Sequence, residues 1–319
     1  MISKSDKYQE QVYLRDIIGG YMAELGSIND KTVVVNADLM GTCRTKSFYD
    51  KYPERTVNVG IAEADMVSFS AGLAHEGYMP FAFTMAPFMS MRACEQCRDD
   101  VAYGNLNVRL IATYAGLSGG ISGATHWSME DCAIMNSIGG MTVLEPSDPY
   151  EALSLMRSMI DYVGPIYMRS SIIPVKVLYN SDTEFQIGKA VVVRKGNDGA
   201  FICSGVVVQY ALKAADKICN KYGKEIRVID FHTIKPLDTN AVINAATTGN
   251  VIVAQDHSVV GGLGYKVAEV IASNRITTNF KILGSPDKFI PMAHAEYLYH
   301  EFEYDAEGLE KNMMLMLQK

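Results

Sequence analysis

Residues 58–75 read NVGIAEADMVSFSAGLAH, and this stretch decides the fold. Two valines flank Asn58 in a short extended run, and Gly60 interrupts it. From Glu63 onward apolar residues recur at helical spacing, so the stretch predicts a strand, a tight turn and a helix. The turn places the Glu63 carboxylate at the carboxyl end of a strand, where open α/β sheets bind their ligands. Glu63 is therefore a candidate acid or base, although acidic residues in a first helical turn also serve as partners of the helix dipole.

Strands and helices alternate on both sides of this stretch. An amphipathic helix is predicted over 11–25, and a β-branched run predicts a buried parallel strand at 32–36. Downstream, apolar patterns predict further strands and the helices between them: strands at 80–83, 108–113, 141–144 and 165–169, helices at 86–103, 129–138 and 149–162. This alternation predicts an α/β fold with a doubly wound parallel sheet.

Residues 173–188 lose this rhythm, and we interpret them as a connection because they contain Pro174 and a run of Asn, Ser, Asp and Thr. A smaller α/β unit follows, with these predicted elements: strands at 190–193, 200–203, 226–230 and 251–254, helices at 209–222, 240–247 and 265–273. We therefore expect a first domain over residues 1–175, a linker over 176–188 and a second domain over 189–319. A chain of 319 residues is consistent with two hydrophobic cores.

The composition argues against several classes of function. Hydrophobic residues make up 48% and charged residues 20% of the chain, which is typical of folded globular proteins. The net charge of -7 argues against a nucleic-acid partner. The N-terminal residues lack an apolar signal region, and no stretch reaches the roughly 18 apolar residues of a membrane span. We expect a cytoplasmic protein that binds neither nucleic acid nor membrane.

Cysteines, histidines and glycines give little support for a metal or dinucleotide site. Cys94 and Cys97 form a CxxC inside a predicted helix, without a second pair at metal spacing, so we interpret them as reduced thiols. The six histidines form no HxH or HxxxH cluster. Gly261, Gly262 and Gly264 lack the full dinucleotide spacing, so close packing of a helix on its sheet is the better interpretation.

Three stretches together resemble the C-terminal half of a transketolase. GIAE at 60–63 is similar to the GIxE segment that contains the family's catalytic glutamate. SGATHWSMED at 122–131 is similar to the family's DGPTHQxxED. DFHTIKP at 230–236, with DHS at 256–258 and GGLG at 261–264, is similar to segments of the family's C-terminal domain. The resemblance covers almost the whole chain and implies a thiamine-diphosphate pyrimidine-binding domain followed by a transketolase C-terminal domain.

The resemblance implies that the chain works with a partner. Full-length transketolases begin with another domain, which holds the diphosphate of thiamine diphosphate through a GDG motif, a metal and an asparagine. This sequence starts in the second domain, and GNDG at 196–199 is no substitute, because we expect it to form a hairpin-like turn between two strands. We therefore expect the second subunit of a split transketolase. An N-terminal-half partner subunit would supply the diphosphate site and its Mg²⁺ or Ca²⁺, and two copies of each chain would form a heterotetramer across a dyad.

The resemblance also assigns residues to the cofactor. Glu63 would hydrogen-bond N1′ of the aminopyrimidine, and Phe88 would stack on that ring. Met85 and Met91 stand where many relatives have further aromatic residues, so the apolar pocket for the ring would have more flexible walls. Asp38 resembles an aspartate near the cationic thiazolium, and capping of the turn after a strand is its alternative role.

Other positions resemble residues that bind the sugar substrate. His126 matches a histidine that hydrogen-bonds the donor oxygen near the reacting carbon, where it would stabilise a developing alkoxide. Arg15 and Arg169 match two arginines that hold the terminal phosphate, a bidentate contact that suits guanidinium groups. Thr42 stands where a hydroxyl assists them.

The expected activity is transfer of a two-carbon ketol unit from a ketose phosphate to an aldose acceptor. Ser122 replaces an aspartate that reads a donor hydroxyl, and Tyr114 replaces a histidine of the substrate channel, so an unusual sugar, branched or ending in a sulfonate, is compatible with the site. Three alternatives stay open. They are a 2-oxoacid dehydrogenase E1 beta-like subunit, a 1-deoxyxylulose-5-phosphate synthase-like enzyme and a non-catalytic scaffold with the same fold.

Overall fold

The computed structural model describes residues 11–318, which form two α/β units. The first unit contains six strands and six helices in this order: α1 (Leu14–Ile28), β1 (Thr32–Asn36), α2 (Lys46–Lys51), β2 (Thr56–Asn58), α3 (Glu63–His75), β3 (Met79–Met85), α4 (Cys94–Gln96), β4 (Arg109–Thr113), α5 (Asp131–Ser137), β5 (Thr142–Leu144), α6 (Pro149–Ser158) and β6 (Ile166–Arg169). The second contains the remaining elements: β7 (Val191–Arg194), β8 (Gly199–Cys203), α7 (Val207–Tyr222), β9 (Ile226–Asp230), β10 (Thr233–Lys235), α8 (Thr239–Ala246), β11 (Asn250–Ser258), α9 (Leu263–Ser273), β12 (Asn279–Ser285), α10 (Ala295–Glu301) and α11 (Ala306–Leu317).

The first sheet has seven strands in the order β10-β5-β6-β4-β3-β1-β2, and its pairs are parallel except at β10. Every residue of β1, β3, β4 and β6 is buried, because helices cover both faces of the sheet. The predicted doubly wound α/β fold is therefore confirmed. The predicted strand at 32–36 matches β1 residue for residue.

The second sheet has five strands in the order β12-β11-β8-β9-β7, with β7 antiparallel to β9. The prediction of a hairpin-like turn over 196–199 is wrong, because β9 lies between β7 and β8 and these two strands do not pair. The connection instead packs against the start of β9. A Cβ on Gly196 would lie 2.4 Å from the carbonyl oxygen of Glu225, so close backbone approach requires the glycine.

The two units share a sheet. Strand β10 comes from the second unit and pairs antiparallel with β5 of the first, with Thr233 opposite Leu144. The backbone amide of Glu145 continues this contact by donating to the carbonyl of His232 at 2.9 Å. The DFHTIKP segment, which contains His232 and Thr233, therefore closes one edge of the first sheet. The predicted linker boundaries remain a prediction.

The segment after β3 departs from its predicted form. The sequence predicts one helix over 86–103, but the chain forms π-helical turns at Phe88–Arg92 and Cys97–Ala102 with α4 between them. Ser90 contributes to this irregularity, because its hydroxyl donates to the carbonyl of Ala86 at 2.7 Å and so competes with the backbone ladder. Such turns are frequent at functional sites. Among the described helices, none combines the length and the apolar character that crossing a membrane requires.

Candidate active site

Glu63 begins α3 after a turn that neighbouring strands hold in place. Asn58, at the end of β2, accepts hydrogen bonds at its side-chain oxygen from the amides of Asp38 and Gly60, both at 3.0 Å. These bonds tie the loop after β1 to the turn before α3. Gly60 has a φ of +78°, a conformation that glycine adopts without strain. The Glu63 side chain is only 1% exposed, so the turn delivers a buried carboxylate to the carboxyl end of the sheet.

A pocket of about 360 Å³ opens at this point between the ends of β1 and β3. Five of the predicted site residues line it, together with one residue that sequence reasoning missed: Asp38, Glu63, Met85, Phe88 and His126, with Arg92. They come from four separate segments of the chain. The fold therefore brings together the two predicted catalytic residues and three of the four further residues predicted to contact the cofactor.

Phe88 and Arg92 lie on the same side of the π-helical turn and reach into the pocket together. The guanidinium carbon of Arg92 lies 4.3 Å from the centroid of the Phe88 ring, and Arg92 Nη1 donates to Glu63 Oε2 at 2.7 Å. The His126 ring meets Phe88 edge to face, with 5.7 Å between centroids. Thr125 Oγ1 lies 2.8 Å from His126 Nδ1, so Nε2 is the ring nitrogen that Thr125 does not contact.

Two features of the pocket face the Glu63 side chain. The carboxylate lies at the N-terminus of a 13-residue helix, and it is paired with the Arg92 guanidinium. The spacing of four residues between Phe88 and Arg92 is the signal that could have identified Arg92, because side chains four apart share a helical face. Met85, which is 7% exposed, supplies an apolar wall.

Six predicted residues do not line this pocket, and Arg169 is the only one of the six that is fully buried. Met91 is 47% exposed, and Ser122 also lies on the surface. Thr42 and Tyr114 are half-buried, and Tyr114 has a positive φ of 62° immediately after β4. Arg15 is 18% exposed on α1, and its Nε has no hydrogen-bond partner within residues 11–318.

The structure places Arg169, the remaining predicted substrate contact, inside the protein and outside this pocket. Its guanidinium is fully buried and donates to both oxygens of Asp131, from Nε at 2.8 Å and from Nη2 at 3.1 Å. Nη1 donates to Glu145 Oε1, and Nη2 also donates to the carbonyl of Asp256 at 3.0 Å. All of its nitrogens are therefore engaged inside the protein, and its contact with a substrate phosphate stays a prediction.

The second unit contributes to this network and to the loop that carries His126. Asp256 of β11 accepts from the amide of Leu117, which begins that loop, at 2.8 Å, and from the hydroxyl of Tyr299 at 2.6 Å. Burial raises the pKa of Asp256 to about 6. His257 Nε2 accepts from the amide of Ala133 at 3.2 Å, and burial lowers the pKa of His257 to about 4, so the neutral ring can serve as this acceptor. The DHS segment of the second unit thus hydrogen-bonds to the Leu117 loop and to α5 of the first unit.

The glycines of the GGLG segment serve packing, as the spacing indicated. A Cβ on Gly264 would lie 2.6 Å from Ile282 of β12, and one on Gly262 would lie 2.6 Å from Gln255 Oε1. That oxygen also accepts from the amide of Leu263 at 2.8 Å. Both glycines therefore allow the start of α9 to pack closely on its sheet.

Neither cysteine of the CxxC is in a disulfide. Cys97 is buried, and burial raises the pKa of its thiol. Within residues 11–318, the one group of three side chains spaced to hold a metal is on the surface, formed by His300, Asp305 and Glu307. It is far in sequence from every residue that lines the pocket.

Comparisons with known proteins agree with this architecture. The family described as "Transketolase, pyrimidine binding domain" matches residues 10–172, and "Transketolase, C-terminal domain" matches residues 188–309. A putative transketolase C-terminal section of Methanocaldococcus jannaschii is 36% identical over 96% of each chain. The 6-deoxy-6-sulfo-D-fructose transketolase subunit SqwH of a Clostridium species is 36% identical, over 94% of this chain and 93% of that protein. A solved structure titled "Split gene transketolase, inactive beta4 tetramer" superposes with a TM-score of 0.86 at 32% identity, covering 97% of this chain and 99% of that one.

Proposed function

The chain belongs to the transketolase family, and we propose that it is the second subunit of a thiamine-diphosphate-dependent split transketolase. In this proposal it transfers a two-carbon ketol unit from a ketose phosphate to an aldose acceptor, and it is active only with an N-terminal-half partner. The observation that carries the proposal is the pocket in which a buried carboxylate, an aromatic face and a histidine converge.

The pocket fits the aminopyrimidine half of thiamine diphosphate. Such a ring needs an apolar slot, a stacking face and a carboxylate for its ring nitrogen, and the pocket offers Met85, Phe88 and Glu63 in these roles. A planar cation already occupies such a position, since the Arg92 guanidinium contacts both Phe88 and Glu63. The donor set therefore suits a flat nitrogen heterocycle.

When bound beside these residues, thiamine diphosphate would supply the nucleophilic carbon that ketol transfer requires. The chain's own residues would bind and orient the groups around it. Glu63, which is itself 1% exposed, would share a proton between its carboxylate and the ring nitrogen. His126 Nε2 would donate to the substrate oxygen that becomes an alkoxide, because Nδ1 already faces Thr125. Asp38, exposed at the pocket edge, would place negative charge near the cationic ring.

The diphosphate and its metal would be held by the partner subunit. Among the pocket's lining residues, Arg92 is the one side chain with a fixed positive charge, and it is already paired with Glu63. The identity of the metal, Mg²⁺ or Ca²⁺, would then be decided by the partner. The relatives named as subunits or as a C-terminal section support a divided enzyme, and the tetramer named in the matched structure supports self-association, as expected for a heterotetramer.

The substrate would be a sugar with a terminal anion. One relative is named for 6-deoxy-6-sulfo-D-fructose, and another, 34% identical in Phocaeicola vulgatus, is named as part of an apulose-4-phosphate transketolase. These names support a donor outside ordinary pentose phosphates. Because Arg169 is engaged inside the protein, Arg15, which is 18% exposed and lies 3.9 Å from Asp16, would be the principal contact for that anion, and Thr42 would assist it.

Reconstitution tests the proposal. The chain, co-purified with its partner, should bind thiamine diphosphate with magnesium in a calorimetric titration, and the chain alone should bind it far more weakly. Glu63→Gln should lower turnover of a ketose phosphate by about 10²–10⁴-fold without unfolding the protein, because an amide cannot exchange a proton with the ring nitrogen as a carboxylate does. Glu76→Gln is the matched control, since Glu76 is exposed at the other end of the same helix. Near-normal activity of Glu63→Gln would remove Glu63 from the mechanism.

The same preparation distinguishes the alternatives. Turnover of pyruvate or branched 2-oxoacids, with none of ketose phosphates, would identify a 2-oxoacid dehydrogenase E1 beta-like subunit. Condensation of pyruvate with an aldose phosphate would identify a 1-deoxyxylulose-5-phosphate synthase-like enzyme. Failure of the complex to bind the cofactor would favour the scaffold.

A further inference from the structure

Arg92 contacts the two groups that the proposed function assigns to the aminopyrimidine ring. Its Nη1 donates to the buried Glu63 carboxylate at 2.7 Å, and its guanidinium carbon lies 4.3 Å from the centroid of Phe88. A guanidinium is flat and carries N–H groups at its rim, as a protonated pyrimidine does. The side chain therefore reproduces within the protein both contacts that a bound ring would make there.

The surroundings of Arg92 allow its side chain to move away from Glu63 and Phe88. Its side chain is 49% exposed, whereas that of Glu63 is 1% exposed. Arg92 is the last residue of the π-helical turn that begins at Phe88, so rotation of its side chain toward solvent would leave the backbone in place. The carboxylate has no comparable freedom, because it lies in the first turn of α3 beneath the pocket.

We propose that Arg92 is an internal placeholder for the aminopyrimidine of thiamine diphosphate, pairing with Glu63 and covering Phe88 until the ring displaces it. This inference rests on the proposed function. A buried carboxylate without a partner is costly, and the placeholder removes that cost in the ring-free protein. The same pairing competes with the ring, because one carboxylate oxygen and one aromatic face cannot serve both groups.

Competition lowers the apparent affinity for the ring by the fraction of protein in which Arg92 is displaced. A charge-assisted hydrogen bond from a half-exposed arginine, discounted for solvent screening, corresponds to a reduction of about tenfold. Removing the guanidinium should therefore strengthen binding of the ring. A role of Arg92 in holding the ring predicts the opposite change, which makes the direction diagnostic.

The test uses the full chain and 4-amino-5-hydroxymethyl-2-methylpyrimidine, the ring half of thiamine, titrated by ligand-observed NMR. Arg92→Ala should bind this probe about tenfold more tightly than the unmodified chain. Arg92→Gln, which keeps a planar head without the charge, should fall between them and serves if Arg92→Ala folds poorly. Arg98→Ala is the matched control, because Arg98 is 70% exposed in the same segment and pairs with Asp99. It should bind the probe as the unmodified chain does.

The outcomes separate the inference from the proposed function. The expected gain should disappear in Glu63→Gln combined with Arg92→Ala, because the released carboxylate is its source. Equal or weaker binding by Arg92→Ala, with binding still dependent on Glu63, would overturn the placeholder and leave the proposed function intact. Absence of binding in every variant would contradict the pyrimidine site itself, and the placeholder with it.

Discussion

Replacing Arg169 with methionine tests whether this residue stabilises the fold or binds the substrate. The guanidinium is fully buried and faces two carboxylates, Asp131 and Glu145, of which Asp131 is 0% and Glu145 4% exposed. Its desolvation is offset by these ion pairs and by a bond to the Asp256 carbonyl. Methionine has a similar length but no charge, so Arg169→Met leaves two buried carboxylates without their cation.

The magnitude follows from that imbalance. Removing one partner of a buried ion pair costs about 3–5 kcal/mol, because the remaining charge is uncompensated. Domains of ordinary stability have a free energy of unfolding of about 5–15 kcal/mol, so the variant should lose a large fraction of its stability. Adding Asp131→Asn should recover part of the loss, since one of the stranded charges is then removed. The exposed Arg157, changed to methionine, is the control and should have little effect.

Urea unfolding provides the assay, with fluorescence of Trp127 as the probe. Trp127 is the chain's single tryptophan and is 2% exposed, so its emission should report loss of the first unit. All variants are compared at one protein concentration, because association shifts apparent stability. An unchanged urea midpoint for Arg169→Met, together with weaker binding of the phosphorylated substrate in the reconstituted enzyme, would refute the structural role and restore the role implied by family resemblance.

Two further predictions concern buried groups. Burial raises the pKa of Asp230 to about 7, so between about pH 4 and pH 7 the folded protein binds more protons than the unfolded chain, and its free energy of unfolding should fall as the pH rises through this range. Asp230→Asn should flatten that slope in thermal unfolding measured at each pH, and an unaltered slope would contradict the assignment. Gly264→Ala should cost about 1–3 kcal/mol because its Cβ would lie 2.6 Å from Ile282. Gly20→Ala, with no neighbour within 4 Å, should cost nothing, and equal urea midpoints for the two variants would show that Gly264 is not packed as described.

Most of the elements could be predicted because their signals are local. Runs of β-branched residues mark β1 and β9 at the observed bounds, and helical spacing after Gly60 identifies α3 with Glu63 in its first turn. The order of these elements is enough to define a doubly wound sheet, since crossover connections leave few topologies. Elements with weak local patterns, such as the short α2 and the partly exposed β12, were not predicted.

The sequence by itself determined the alternating α/β architecture, the position of Glu63 at a strand end and the grouping of Glu63, Phe88 and His126 through family motifs. Only the tertiary structure decided which groups Arg92 and Arg169 pair with. Arg169 contacts residues 24, 38 and 87 positions away, and the most distant of these, Asp256, belongs to the second unit. Arg92 meets Glu63 across 29 residues. Charged side chains carry no local signal of their partner, because pairing is decided by which distant segments the packed core brings within hydrogen-bond distance.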